Sequence, residues 1–231
     1  MAGIALLAVT QSRGETPRIT LSNGTVSFVD EDGRRRALRV GHKCADLWVA
    51  PDESVFAFIA IEKALPPTAQ EIEPFIEESS IYIARRSDHF RPVRLDLGSV
   101  QINGKSWKVV RQPSVSPDLK RVYFLVPYTM TDWKLVSASP AANLRSIIGD
   151  AMTYCVVWGG KDSGDLLMMT RRDPTPSQPA PGVTYPCYLS ARSGGRSMIV
   201  DGVTQECWDF GAFSARWSRE HGGVCRPTDA N

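Results

Sequence analysis

From Ile19 onward the chain alternates short apolar runs with polar, turn-forming clusters, the pattern of strands and tight turns. The clearest instance is Pro113 to Val126. A short strand leads into Ser116-Pro117-Asp118, and a strongly apolar strand follows. Pro117 fixes its own φ, and the Asp118 carboxylate is placed to accept a backbone N–H two residues on, so the stretch predicts a β-turn. Every residue from Val122 to Val126 is apolar or aromatic, which predicts a strand covered on both faces. Leu47 to Phe58 has the same shape around Ala50-Pro51-Asp52. Tyr154 to Met169 has it again, with Gly159 to Gly164 as the turn. Cys207 to Phe213 reads as a degenerate fourth copy.

A second pattern runs through the chain. Asn23-Gly24 predicts a hairpin between Ile19–Leu21 and Val26–Val29, and Asp30 to Gly33 turns that strand into Arg34–Val40. Comparable hairpins start at Ile81, Lys134 and Cys187. Counted from Val26, the intervals are 55, 53 and 53 residues. A period of this length marks one supersecondary unit per repeat, as in propeller blades. Two insertions interrupt it. Residues 62–80 carry Leu65-Pro66-Pro67 and then Thr68 to Glu71, a capping-box pattern that predicts a short helix limited by Pro74. Residues 173–186 hold five prolines and predict an extended loop.

The repeats resemble the TolB-type, WD40-like (PD40) propeller repeat, whose recurring form is Pro-x-Trp-Ser-Pro-Asp-Gly-Lys, an apolar strand, then Ile-Tyr-Val. Pro113 to Lys120 carries the match, with Val115 and Leu119 where the pattern has Trp and Gly. Ala50-Pro51-Asp52 and Ile81-Tyr82-Ile83 match in part. The resemblance covers residues 18–200 in three to four units. It implies an all-β, propeller-like array of about four antiparallel four-stranded blades, small or incomplete. The rival fold is an irregular antiparallel β-sandwich.

Composition narrows the function. With 231 residues, 42% hydrophobic and 23% charged, the chain suits a single folded domain over residues 18–231. A net charge of +2 gives no argument for nucleic acid or an anionic membrane surface. Ala2 to Val9 is apolar but too short to span a bilayer. Followed by polar Thr10 to Gly14, it reads as a signal-peptide remnant over residues 1–17, which points to a periplasmic or secreted protein. The five cysteines agree with export: three fall in the last 45 residues, where a disulfide would restrain a poorly cored tail. Their pairing is not readable from the sequence, and no Cys-x-x-Cys pair suggests zinc.

No catalytic constellation stands out. The chain has no Gly-x-Ser-x-Gly elbow, and Ser163 reads as a turn serine. His42, His89 and His221 are isolated. Asp30, Glu31 and Asp32 lack the later ligands of a calcium loop and adjoin three arginines, so a charged hairpin turn is the better reading. Trp48 and Trp158, at nearby repeat positions, read as core aromatics. Two surfaces are candidates for a partner: the acidic insertion, through Glu71, Glu73, Phe75 and Glu77, and one basic hairpin, through Arg85, Arg86, His89, Phe90 and Arg91. The function expected is therefore a non-catalytic exported scaffold that binds another protein, in envelope assembly or an inhibitor (immunity-like) role, without cofactor or metal. The alternatives are a carbohydrate-binding or hydrolytic propeller with a central or top-face cleft, and a structural module that self-associates to cover open blade edges.

Overall fold

The computed structural model describes residues 18–64, 77–97, 100–102, 105–107, 109–127, 133–139, 144–170, 187–190, 197–199 and 210–228. The first sheet is a meander of β1 (Ile19–Ser22), β2 (Thr25–Val29) and β3 (Arg35–Ala37). Its first turn is the predicted Asn23-Gly24 pair, both left-handed with φ of 50° and 72°, as a two-residue type I′ hairpin requires. The second sheet is β4 (Lys43–Val49), β5 (Val55–Ala64), β6 (Glu77–Arg85) and β7 (Val93–Arg94), hydrogen-bonded in sequence order. A small hairpin, β8 (Val100–Ile102) and β9 (Lys105–Trp107), precedes the third sheet. That sheet is β10 (Arg111–Val115), β11 (Val122–Pro127), β12 (Trp133–Ser139) and β13 (Leu144–Asp150). The fourth is β14 (Thr153–Trp158), β15 (Leu166–Met169), β16 (Cys187–Ser190) and β17 (Ser197–Ile199). A helix, α1 (Phe210–His221), and a last strand, β18 (Val224–Cys225), complete the chain, β18 pairing with the free edge of β14.

Successive antiparallel meanders, the first of three described strands and the next three of four, each packed on the next, are the architecture of propeller blades and not of two facing sandwich sheets. The apolar clusters fall in the same order as the sheets. Phe28 packs with Phe56 and Phe58 between sheets one and two. Trp48, Ile59, Val115 and Phe124 join sheets two and three, and Tyr123, Leu135, Tyr154 and Leu166 join three and four. Phe210, Phe213 and Trp217 of α1 close the array over Val157 and Leu167. Trp48 of β4 and Trp158 of β14 have ring centroids 5.8 Å apart, so the innermost strands of blades two and four touch across the centre.

The turn chemistry is as predicted and occurs twice. Lys120 N–H and the Ser116 hydroxyl donate to Asp118 Oδ1 at 3.1 and 2.6 Å. Ser54 N–H and its hydroxyl donate to Asp52 Oδ1 at 3.0 and 2.7 Å. Leu119 and Glu53, each following its Asp, are both left-handed. Every residue of β11 is buried.

One correction concerns the tail. Phe210 to Phe213, the described part of the expected fourth copy, is the first turn of α1 and not strand. Phe210, Phe213, Ser214 and Trp217 are its buried residues, an i, i+3, i+4, i+7 face that only a helix can bury together. The tail's disulfide joins Cys225 to Cys155, 70 residues apart with Cα atoms 5.5 Å apart, and fastens β18 to β14. Closing a loop of that length restrains the unfolded chain by roughly 4 kcal/mol on the chain-entropy account. Cys44 is a free, buried thiol whose pKa burial pushes up. Strand continues to Ala64 and resumes at Glu77, so both ends of the 62–80 insertion belong to the second sheet. The predicted helix at its centre and the proline-rich 173–186 loop lie outside the described residues. Among the described residues no helix is long and apolar enough to cross a membrane.

Candidate functional site

Among the described residues, three of the clefts lie between the sheets. The first, about 510 Å³, lies between the β2–β3 turn of blade one and the β6–β7 connection of blade two. One wall is acidic: Asp30, Glu31 and Asp32. Asp30 is already engaged. Its Oδ1 accepts the Arg34 N–H at 2.8 Å and its Oδ2 pairs with the Arg36 guanidinium, and these hold its carboxyl below the usual carboxylate range. Glu31 and Asp32 are exposed at the turn. The opposite wall carries Arg86 and His89, with Glu53 making a loose 3.7 Å ion pair to Arg86.

The Arg86–His89 wall rests on an unusual piece of backbone. A single 3-10 turn spans Arg86–Asp88, and the next two residues, His89 and Phe90, are both left-handed, with φ of 51° and 56°. That conformation is uncommon for a bulky aromatic and costs roughly 1–3 kcal/mol per residue. The surroundings determine it. Phe90 lies within 5.3 Å of Phe56 and 4.9 Å of Phe28, ring centroid to centroid. Its N–H donates to Arg85 O at 2.8 Å, and the His89 N–H donates to Arg86 O at 3.0 Å. Phe90 is therefore an anchor in the core of blades one and two that holds His89 and Arg86 out at the rim.

The second cleft, about 870 Å³, opens at the centre of the array. It forms because β4 and β10 each carry a bulge, at Asp46-Leu47 and Gln112-Pro113. Asp46 and Gln112 are 66 positions apart and share a left-handed conformation. Bulges leave backbone groups without ladder partners, and side chains from other elements supply them. Gln112 N–H donates to Asp46 Oδ2 at 2.9 Å, and Tyr154 donates to Gln112 O at 2.5 Å while accepting from Ser114. Thr153 donates to Gln112 Oε1 at 3.3 Å, and Thr228 to Pro113 O at 3.3 Å. Blades two, three and four and the tail thus meet at one bulged strand. Burial pushes the Asp46 carboxyl above its ordinary value, against the Gln112 N–H and Arg111. Burial likewise raises the Tyr154 phenol well above 10.0. The third cleft, about 540 Å³, separates β1 and the end of β4 from α1 and residues 225–227.

Of the residues singled out from the sequence, Arg86, His89 and Phe90 come together at the first cleft. Arg85 ends β6, half-buried, and Arg91 is exposed beyond the turn. Glu71, Glu73 and Phe75 lie outside the described residues, and of Glu77 only its place at the start of β6 is described. Arg94 of β7, close by in the sequence, is turned to Glu62 and Ser80 within the sheet. The acidic wall was read only as a charged turn, and nothing in its sequence says that it faces Arg86. Asp46 and Gln112 carried no sequence signal beyond a 66-residue spacing matched by Pro51 and Pro117.

No family model and no curated protein matches the chain. Solved structures similar to it include the β-propeller domain of the Trilobed protease from Pyrococcus furiosus, at 14% identity and a TM-score of 0.39, over 68% of this chain and 42% of that one. TolB from Acinetobacter baumannii is similar at 11% identity and a TM-score of 0.28, over 76% and 61%. Oligogalacturonate lyase is similar at 14% and 0.40, over 76% and 41%. The chain spans less than two thirds of the length of each, and no activity or partner is carried over from them.

Proposed function

We propose that this chain is a non-catalytic, exported, TolB-like propeller module that binds another protein through the rim of blades one and two. The observation that carries this reading is the left-handed His89–Phe90 pair. Backbone strain of this kind persists where the surrounding packing imposes it, and here the Phe90 anchor imposes it and presents Arg86 and His89. Acidic Glu31 and Asp32 stand across the cleft, so the surface offers both signs of charge within one concave rim. That suits a polypeptide segment with complementary charges better than a uniformly charged ligand. The disulfide between Cys155 and Cys225 supports an oxidising compartment, periplasmic or extracellular.

Affinity capture from an envelope or culture-supernatant fraction tests the reading. The intact protein should retain a partner that Arg86→Glu loses and Arg86→Lys largely keeps. Equal recovery by all three proteins would remove the rim from consideration.

A second reading has one observation in its favour. Asp46 is a buried carboxyl with a raised pKa in the largest of the three clefts, with Trp133 nearby, the environment of a general acid in a carbohydrate site. Among the described residues lining that cleft Asp46 is the sole acid, and one of its oxygens is held by Gln112 N–H. Glycoside turnover abolished by Asp46→Asn would favour this reading over the first.

A further inference from the structure

The central cleft holds more polar chemistry than the bulge network uses. Asp46 is 6% exposed and lines it. Its Oδ2 accepts the Gln112 N–H at 2.9 Å, whereas its Oδ1 accepts no hydrogen bond from any described residue. Oδ1 is not sealed off from solvent either, so it opens into the cleft. A carboxylate oxygen on so buried a residue is satisfied only by a donor that enters from outside the fold.

Two cations stand beside it. Lys43 begins β4 at the mouth of the cleft, and the Asn23-Gly24 turn places it. The Cys44 N–H donates to Gly24 O at 2.7 Å, which ties β4 to that turn. The Lys43 stem then lies across the turn: a Cβ on Gly24 would collide with Lys43 Cγ and come within 3.3 Å of its Cδ and Cε. Glycine at this position therefore serves the seating of Lys43 as well as the left-handed φ of 72°. Arg111, just before the Gln112 bulge, supplies the second cation and lies close enough to Asp46 to favour its ionised form. Half-buried Leu21, Ile61, Trp133 and Met152 form an apolar lining beside these charges.

We propose that the central cleft is a binding site for a small hydroxycarboxylic acid with an apolar body. The carboxylate lies against Lys43 and Arg111, the neighbouring hydroxyl donates to Asp46 Oδ1, and the body covers Trp133 and Met152. Charge selects this class. Two cations and one acid leave the described lining positive, and a monoanion balances it. An α-amino acid would bring an ammonium to a lining that is already positive. A phosphomonoester dianion has no proton to offer Asp46 Oδ1. The cleft, about 870 Å³, admits such a molecule together with water. None of these residues lines the first cleft, so the site is separate from the rim of blades one and two. It requires no turnover, because Asp46 acts here as a hydrogen-bond acceptor. Asp46 and Gln112 join blades two and three, so a ligand held between them also stabilises the folded chain.

Titration calorimetry of the full chain with phenyllactate and three analogues tests the site. Phenyllactate should bind saturably, with a dissociation constant of about 1 mM or lower. Phenylpropionate lacks the hydroxyl, phenyllactamide lacks the charge, and phenylalanine replaces the hydroxyl with an ammonium. Each should bind about tenfold more weakly or worse. Lys43→Gln and Asp46→Asn should each weaken phenyllactate by about tenfold, and Lys43→Arg should largely keep it. Lys120→Gln, at an exposed cation of blade three, should change nothing. Lys43 is exposed, so its variants fold even where Asp46→Asn loosens the junction. Phenylpropionate binding as tightly as phenyllactate would remove Asp46 Oδ1 from the site and overturn the proposal. Phenylalanine binding more tightly would make the ligand a zwitterion and overturn it as well. So would an unchanged affinity in Lys43→Gln, or no saturable binding of phenyllactate up to about 20 mM.

Discussion

Blades two and three are built on one template and differ in what hangs from it. Both begin with a bulged innermost strand, at Asp46 and Gln112, and both turn on an Asp that caps its own loop, Asp52 and Asp118. Both then send a strand through the core, with Phe56 to Ala60 and Val122 to Val126 fully covered. Among the described residues of the two, blade two alone carries a left-handed pair of non-glycine residues beside a charged cleft, and the equivalent connection of blade three, between β12 and β13, lies outside them. What repeats specifies the fold, because burial and turn capping act the same way at each copy. What does not repeat is where recognition is expected, since the fold does not need it.

The comparison breaks first at the core. Phe56→Ala and Phe124→Ala should each lower unfolding free energy by about 3–5 kcal/mol, because both side chains are fully buried between sheets. Chemical denaturation checks this, and a cost under about 1 kcal/mol at either site would mean the blades are not equivalent. The turns come next. Asp52→Ala and Asp118→Ala each remove a carboxylate that accepts two hydrogen bonds, an expected loss of about 1–2 kcal/mol apiece. The two losses should agree closely if the turns are copies. For Asp52 there is also a pH signature. Burial works against the charge, yet the Ser54 N–H and hydroxyl hold the carboxyl below its ordinary value. Its contribution is therefore present above 3.8 and is lost as pH falls through the lower folded value.

His89→Gly sharpens the difference between the blades. A glycine relieves the left-handed strain, so thermal unfolding should show a gain of about 0.5–1 kcal/mol, with partner capture weakened. Stability gained at the expense of binding is the mark of a strained recognition element. The smallest effect concerns Asp46. Its carboxyl is raised in the folded chain, so the folded state holds the proton more tightly. The resulting stability is complete below 3.8 and is lost as pH rises through the folded value. Asp46→Asn keeps an acceptor for Gln112 N–H and does not titrate. The variant should therefore gain on the native protein as pH rises across that window, and a constant difference would contradict the assigned burial cost.

Architecture was legible in the sequence where local chemistry decides it. Pro117 and Asp118 set their turn, Asn23-Gly24 sets the first hairpin, and Val122 to Val126 declares a doubly covered strand. The 53-residue interval from Ile81 to Lys134 to Cys187 falls on the third strand of blades two, three and four. The tail was misread because Phe210 to Phe213 is too short to distinguish a strand from the start of a helix, and the deciding residues, Ser214 and Trp217, lie beyond it. The candidate rim was half legible. Clustered arginines flagged Arg86 and His89, but the inward turn of Phe90 onto Phe28 is a contact between blades that no local pattern encodes. The central network was not legible for the same reason. Asp46, Gln112, Tyr154 and Thr228 come from four separate parts of the chain and meet only after the blades pack.

The most direct test of the division between template and recognition is amide exchange of the captured complex against the free protein, read at the rim of blades one and two and at a repeated turn of blade three. The account predicts slowed exchange at Glu31, Asp32 and Arg86 to Phe90, with the Pro117 to Lys120 turn of blade three unchanged. Slowing confined to blade three, or to the strands around the Asp46 cleft, would contradict it.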